Sequence, residues 1–201
     1  IVVGVIVGVP AARKVQMTQM PQLVALFNGV GGGAAALVAI VEYLHLGDKA
    51  SGGAVGATVF TVLVGCISFT GSILTFLKLQ ELMTTRPVVF PGGRAVIALV
   101  LLAVLGAAGW VAVDKGSTSL LVLTVLSLAF GILFVLPVGG ADVPIVISLL
   151  NAFTGLTVAA TGYVLDSTLL LVAGTLVGAS GTILTRLMAS AMGRPILGIL
   201  F

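Results

Sequence analysis

Two asparagines lie inside long apolar segments, and their sequence surroundings are alike. Asn28 follows Pro21 by seven residues, and Asn151 follows Pro144 at the same spacing. Each asparagine has a glycine four residues further on. An amide without a hydrogen-bond partner in an apolar medium costs several kcal/mol on transfer scales. Both side chains are therefore expected to face protein or water inside a membrane bundle.

Two interpretations of this pair remain open. An interhelical amide bond contributes only about 0.6 kcal/mol on average in membranes, so Asn28 and Asn151 can be simple packing contacts. Alternatively, they hold water along a path. At 1.5 Å per residue, both amides would lie about 10 Å inside the same end of their helices, within reach of each other or of one shared water. The corresponding functional classes are a conducting subunit, a transporter or channel for a small polar solute, and a purely structural subunit.

The composition assigns the chain to the membrane proteins. Of its 201 residues, 59% are hydrophobic and 7% are charged, and the mean hydropathy is +1.31. Soluble domains carry about 25% charged residues, so this chain has too few charges to cover a water-exposed surface. Its nine basic residues are too scattered for a nucleic-acid surface. Cys66 is the single cysteine, which excludes disulfides and cysteine metal sites within the chain.

The lengths of the apolar segments predict an all-α polytopic bundle. A transmembrane helix needs about 20 apolar residues. We predict six full spans after a partial N-terminal span at residues 1–9. They cover residues 21–46, 53–77, 95–113, 117–136, 143–165 and 168–192.

The basic residues predict the orientation, because cytoplasmic loops are enriched in lysine and arginine. If the first loop is cytoplasmic, Lys49 and Lys115 fall on the outer side. The cytoplasmic side then receives Arg13, Lys14, Lys78, Arg86, Arg94, Arg186 and Arg194. The C-terminus is expected on the cytoplasmic side as well.

Small and polar residues recur on one face of four spans, as they do where membrane helices pack closely. The faces include Ser68 in the second span, Ser148 beside Asn151 in the fifth, and a glycine set in the last. That glycine set is Gly174, Gly178 and Gly181. We expect these spans (21–46, 53–77, 143–165 and 168–192) to form the inner bundle, and spans 95–113 and 117–136 to face lipid.

Ionisable residues avoid the middle third of every predicted span. Proton pumps usually carry such residues there. Asp142 lies at the start of the fifth span. It is expected to cap the helix through backbone N–H groups or to form the mouth of a polar path, and the two roles are compatible. The sequence contains no set of residues typical of a soluble catalytic site, a metal site or a phosphate-binding loop.

Four strings along nearly the whole chain resemble the membrane domain of the beta subunit of proton-translocating NAD(P) transhydrogenase. They are Lys-Val-Gln-Met-Thr-Gln-Met-Pro-Gln-Leu-Val-Ala at 14–25, Ser-Phe-Thr-Gly-Ser at 68–72, Gly-Gly-Ala-Asp-Val-Pro at 139–144 with Ser-Leu-Leu-Asn at 148–151, and Gly-Thr-Leu-Val-Gly-Ala-Ser-Gly at 174–181. The resemblance implies a membrane domain over residues 1–201 that is incomplete at its N-terminus and lacks the soluble NADP(H) domain. It further implies inward proton movement coupled to hydride transfer from NADH to NADP⁺ in soluble domains.

The same resemblance implies partners, cofactors and site residues. The partners would be an alpha subunit with membrane helices and an NAD(H) domain, within a dimeric complex in a bacterial inner membrane. NAD and NADP would bind elsewhere in that complex and not to this segment. Asn151 matches a family asparagine implicated in proton passage, and Asp142 matches the acidic residue just before it. Arg194 matches a basic residue at the junction with the NADP(H) domain. Well-known members carry a proton-bearing histidine where Asn28 stands, so a partner helix is expected to supply the titratable group.

Overall fold

The structure is a computed structural model that describes residues 1–46, 50–114 and 116–200, apart from the side chains of Leu197 and Leu200. The described residues form eight α-helices, joined by turns and two short 3₁₀ segments, and no strand occurs among them. The helices are α1 (Val2–Lys14), α2 (Met20–Leu46), α3 (Gly52–Leu79), α4 (Gly93–Asp114), α5 (Ser117–Val135), α6 (Val143–Val164), α7 (Thr168–Ala191) and α8 (Ile196–Leu200).

The six predicted spans are confirmed as α2 to α7, whose ends lie within two residues of the predicted ones. All six are long and apolar enough to cross a bilayer, so the chain is a multi-pass membrane protein. The partial first span corresponds to α1, which has 13 residues and buries none of its side chains. Lys49 and Lys115, the basic residues expected on the outer side, lie outside the described residues.

Local sequence signals explain where several helices begin and end. The Ser51 hydroxyl accepts a hydrogen bond from the Ala54 N–H (3.2 Å) and so caps α3. Pro144 occupies the first turn of α6, where no N–H donor is required. Gly193 adopts a φ of +65° just after α7, and the Arg194 N–H returns to the Ala189 carbonyl oxygen (2.9 Å). This C-terminal turn fixes the position at which Arg194 leaves the helix.

The prediction that α5 faces lipid is wrong, because α5 packs against α3. Helix α7, which was predicted to be an inner span, contacts α6 and few other helices. The central helix is α3, which packs against α2, α5 and α6, whereas α7 packs chiefly on α6. In the most apolar part of α5, 44% of the residues are buried, against 22% in α4 and in α7. The contact with α3 depends on Gly131 of α5, because a Cβ there would lie 2.7 Å from the Ile67 carbonyl oxygen.

Three connections meet at one end of the bundle, which we call the basic end. It comprises residues 80–92 between α3 and α4, residues 136–142 between α5 and α6, and residues 192–195 after α7. The Val88 N–H donates to the Leu136 carbonyl oxygen (3.1 Å), and the Gly140 N–H donates to the Thr85 carbonyl oxygen (3.0 Å). The first two connections are thereby fixed to each other.

Candidate functional site

Asn28 lies in the seam between α2 and α3 and is buried. Its Nδ2 donates to Ser72 Oγ (2.8 Å) and approaches Ser68 Oγ (3.3 Å). The two helices come this close because of glycines one turn away: a Cβ on Gly65 would lie 2.8 Å from the Gly32 carbonyl oxygen. The sequence therefore places the amide between two hydroxyl groups of the neighbouring helix.

Ser68 extends these contacts to a third helix. Its hydroxyl donates to the Leu150 carbonyl oxygen of α6 (3.0 Å), and its Oγ lies 2.6 Å from Thr154 Oγ1. A hydroxyl has one donor and two acceptor sites, so these two contacts and the Asn28 amide use the full capacity of Ser68. We call Asn28, Ser68, Ser72 and Thr154 the Asn28 cluster. It joins α2, α3 and α6 inside an apolar bundle.

One atom of the cluster has no partner among the described residues. Asn28 Oδ1 is buried and accepts no hydrogen bond there. Buried carbonyl-type oxygens are nearly always satisfied by protein or by ordered water. The amide therefore offers one acceptor to a water or to a donor from outside the described chain.

The two asparagines do not bond to each other, contrary to one option that the sequence left open. Asn151 is half-buried, and its side chain makes no hydrogen bond within the described residues. The connection between the two sites runs instead from Asn28 through Ser68 to the carbonyl of Leu150, the residue before Asn151. Asn151 is free to bind water or a group from another subunit.

Ser148 belongs to a separate cluster, between α6 and α7. Its hydroxyl donates to the Gly181 carbonyl oxygen (3.3 Å). The buried Thr185 hydroxyl donates either to that same carbonyl (2.8 Å) or to Ser148 Oγ (2.9 Å). Helical periodicity puts Thr185 on the same inward face of the last span as the glycine set, whereas Thr154 was not predicted, although it lies one helical turn from Asn151.

The glycine set of α7 lies in its seam with α6. A Cβ on Gly178 would meet the Leu156 side chain at 2.8 Å, and one on Gly181 would meet Ala152 at 3.0 Å. Gly174 lies against the Gly155 carbonyl oxygen, where a Cβ would come within 2.6 Å. The backbones are closest at Gly174, where a side chain would have to move the helices apart. At Gly178 and Gly181 the neighbouring residues would have to shift.

Asp142 pairs with Arg194 at the basic end. The Arg194 guanidinium donates to Asp142 Oδ2 (3.2 Å), while Asp142 Oδ1 is buried and unpaired among the described residues. Asp142 occupies the N-cap position of α6, but its side chain makes no capping hydrogen bond. The predicted capping role is thus wrong. Arg194 has a half-exposed side chain, so the pair is worth little as a source of stability.

The described residues contain no group of three histidine, cysteine, aspartate or glutamate side chains placed to bind one metal ion. The chemistry that these groups offer is hydrogen bonding. Amide and hydroxyl groups can orient water at one depth of the bundle, and one ion pair links α6 to the end of α7.

Comparison with known proteins shows the family of the chain. The family described as NAD(P) transhydrogenase beta subunit matches residues 1–201. Two relatives, both NAD(P) transhydrogenase subunit beta from Rhodospirillum rubrum, are each 39% identical over 207 residues. The matches cover 100% of this chain and 45% of each relative, so the chain spans about half of their length. The chain therefore belongs to the NAD(P) transhydrogenase beta-subunit family.

Proposed function

We propose that this chain is the proton-translocating membrane part of an NAD(P) transhydrogenase. In this proposal it couples inward proton movement to hydride transfer from NADH to NADP⁺, and the transfer itself takes place in soluble domains. Family membership and the six apolar helices support a membrane role. The observation that carries the proposal is the Asn28 cluster, which brings an amide, two serines and a threonine together from three helices in an otherwise apolar interior.

The proton route in this proposal is a chain of water molecules held by polar side chains. Asn28 offers its unpaired Oδ1, and Asn151 offers a half-buried amide without a partner among the described residues. Ser68 lies between them, and Ser148 provides a further hydroxyl on α6. Asp142 and Arg194 lie at the basic end, which we place on the cytoplasmic side of a bacterial inner membrane. There the ion pair would adjoin the soluble NADP(H) domain.

The titratable group is proposed to come from the alpha subunit. Amides and hydroxyls orient water but do not hold a proton near neutral pH. Among the described residues, the charged and histidine side chains lie in α1, in the connections or toward the ends of α2 to α7, and none lies at mid-depth of a span. NAD and NADP would bind in soluble parts of the complete complex, which we take to be a dimer.

A reconstituted complex tests both parts of the proposal. Proton uptake into liposomes that hold the full complex is followed with a pH-sensitive dye, with and without NADPH and an NAD⁺ analogue. We expect uptake to require nucleotides and to be lost when the membrane-embedded titratable residues of the alpha subunit are replaced. Asn28→His in this chain is expected to restore part of that loss, because it returns a titratable side chain between Ser68 and Ser72.

Two results would overturn the proposal. Uptake that survives removal of every membrane-embedded titratable residue of the partner would refute the partner-supplied proton carrier. Transport of a small solute with no nucleotide-dependent proton movement would refute the transhydrogenase role and favour a transporter.

A further inference from the structure

Lys78 is the largest fully buried side chain among the described residues. It lies next to the end of α3, and its exposed fraction is 0%. The sequence counts it with the basic residues of the cytoplasmic side, and the structure buries its side chain inside the protein. No carboxylate pairs with it among the described residues, where the one ion pair joins Arg194 and Asp142. A lysine in such a place requires another way to satisfy its charge.

Three backbone carbonyl groups surround the Lys78 ammonium group. Nζ donates to the carbonyl oxygens of Val135 (3.0 Å), Leu136 (2.7 Å) and Val138 (2.8 Å). An ammonium group has three N–H donors, so each donor has one acceptor. Hydrogen bonds from a charged donor are about twice as strong as neutral ones. Every N–H donor of the Lys78 ammonium group therefore has an acceptor, and each of these hydrogen bonds is strong because the donor is charged.

The three acceptors all lie where α5 ends. The last carbonyls of a helix have no partner within it, and together they carry roughly half a negative charge. Lys78 satisfies this end from a different helix, more than fifty residues earlier in the chain. The side chain thereby ties the end of α3 to the end of α5 and to the first residues of the connection 136–142.

That connection leads directly to Asp142. Val138, whose carbonyl binds Lys78, precedes Asp142 by four residues, and the intervening Gly140 N–H is held by the Thr85 carbonyl oxygen. Asp142 in turn meets Arg194, just beyond α7. A continuous set of fixed contacts therefore runs from Lys78 to the ion pair at the basic end.

We propose that Lys78 is a positioning residue that holds residues 135–138 and, through them, sets where Asp142 and the start of α6 stand. With this anchor, a displacement at Arg194 is transmitted to α6. Without it, the connection 136–142 moves instead, and the displacement does not reach α6. The effect on proton coupling rests on the proposed function, whereas the effect on the position of the connection does not.

Thiol labelling tests the position of the connection directly. Val138 is buried, so Val138→Cys reports opening of the connection, while Ala141→Cys reports a site that is already exposed. The full complex in membrane vesicles is treated with N-ethylmaleimide. Lys78→Met is expected to raise the labelling rate at position 138 by about tenfold or more, since one hydrogen bond to a charged group is worth roughly that factor. Buried Cys66 should stay unreactive if the bundle is intact.

Two further variants complete the labelling test. Lys14→Met, at an exposed lysine of α1, should leave the rate at position 138 unchanged. If Lys78→Met does not assemble, Lys78→Gln retains two N–H donors and should give an intermediate rate. An unchanged rate at position 138 in either Lys78 variant would overturn the proposal.

A double-substitution experiment separates positioning from general stability. If Lys78 acts through Asp142, adding Lys78→Met to Asp142→Asn should lower nucleotide-dependent proton uptake no further than the stronger single change does. If the two substitutions together lower proton uptake by the product of their separate factors, Lys78 does not act through Asp142 and the positioning role is overturned. If Asp142→Asn has no effect on uptake while position 138 still opens in Lys78→Met, the role of Asp142 in coupling fails and the anchoring of the connection stands. If the complex shows no nucleotide-dependent uptake at all while position 138 still opens, the proposed function fails and the anchoring stands.

Discussion

Ser68 and Ser72 form a natural pair for testing the Asn28 cluster. They lie one turn apart on α3, are 0% and 1% exposed, and both face the Asn28 amide. They differ in one respect: Ser68 also bonds to the Leu150 carbonyl oxygen and to Thr154 of α6. Ser68→Ala removes the side-chain hydrogen bonds between α3 and α6, whereas Ser72→Ala leaves them in place.

The structure sets the size of the expected difference. Ser68→Ala loses three contacts and Ser72→Ala loses one, each worth about 0.6 kcal/mol in a membrane bundle. The variants should therefore differ by about 1.2 kcal/mol, which corresponds to roughly eightfold in a rate that depends on the intact cluster. Both serines are small, so neither substitution opens a large cavity.

The assay is nucleotide-dependent proton uptake by the reconstituted complex, with denaturant unfolding of each variant in detergent measured beside it. We expect Ser68→Ala to reduce uptake several-fold more than Ser72→Ala, while both complexes assemble. Equal uptake in the two variants would refute the reasoning, because the contacts to α6 would then contribute nothing. If uptake is normal in both, the cluster is a packing device.

The remaining predictions concern Asn151 and the seam between α6 and α7. Asn151→Leu should abolish proton coupling but leave assembly and the free energy of unfolding nearly unchanged, because the side chain gives up no hydrogen bond within the described residues. Normal proton uptake by this variant would show that Asn151 is not on the proton path. Gly174→Ala should destabilise the protein by about 1–3 kcal/mol, since its Cβ would press on the Gly155 carbonyl oxygen. Gly106→Ala on α4, with nothing within 4 Å of its Cβ, is the matched control and should be neutral or slightly stabilising in the same unfolding measurement.

The six spans could be predicted because they depend on apolar length alone, which the sequence shows directly. The burial of α5 could not be predicted in the same way. Lipid tails are as apolar as leucine, so composition does not separate a helix that faces lipid from one that packs on protein. The informative residue was Gly131, and its role becomes visible only when Ile67 is known to lie opposite.

In the candidate site, the sequence likewise predicts which side chains face inward but not which residues they contact. Helical periodicity put Asn28 and Ser68 on inward faces, and the structure brings them together. Periodicity within one helix carries no information about the register between helices, so the contacts of Ser68 with Leu150 and Thr154 were not predicted. The burial of Lys78 was not predicted either, because its acceptors are carbonyls at the end of another helix and its own sequence neighbours do not reveal them.

Helix α6 is held at two depths by contacts of different strength, and this difference determines which contact yields first. Along α7, Gly174 lies directly against the Gly155 carbonyl oxygen, so we expect α6 and α7 to move together. Toward α3, the described side-chain hydrogen bonds to α6 are those of Ser68, each worth about 0.6 kcal/mol. A force applied at Arg194 would therefore reach α6 through both the ion pair and the seam. We expect the Ser68 hydrogen bonds to break before the seam with α7 opens, at the depth where the Asn28 amide has an acceptor to offer.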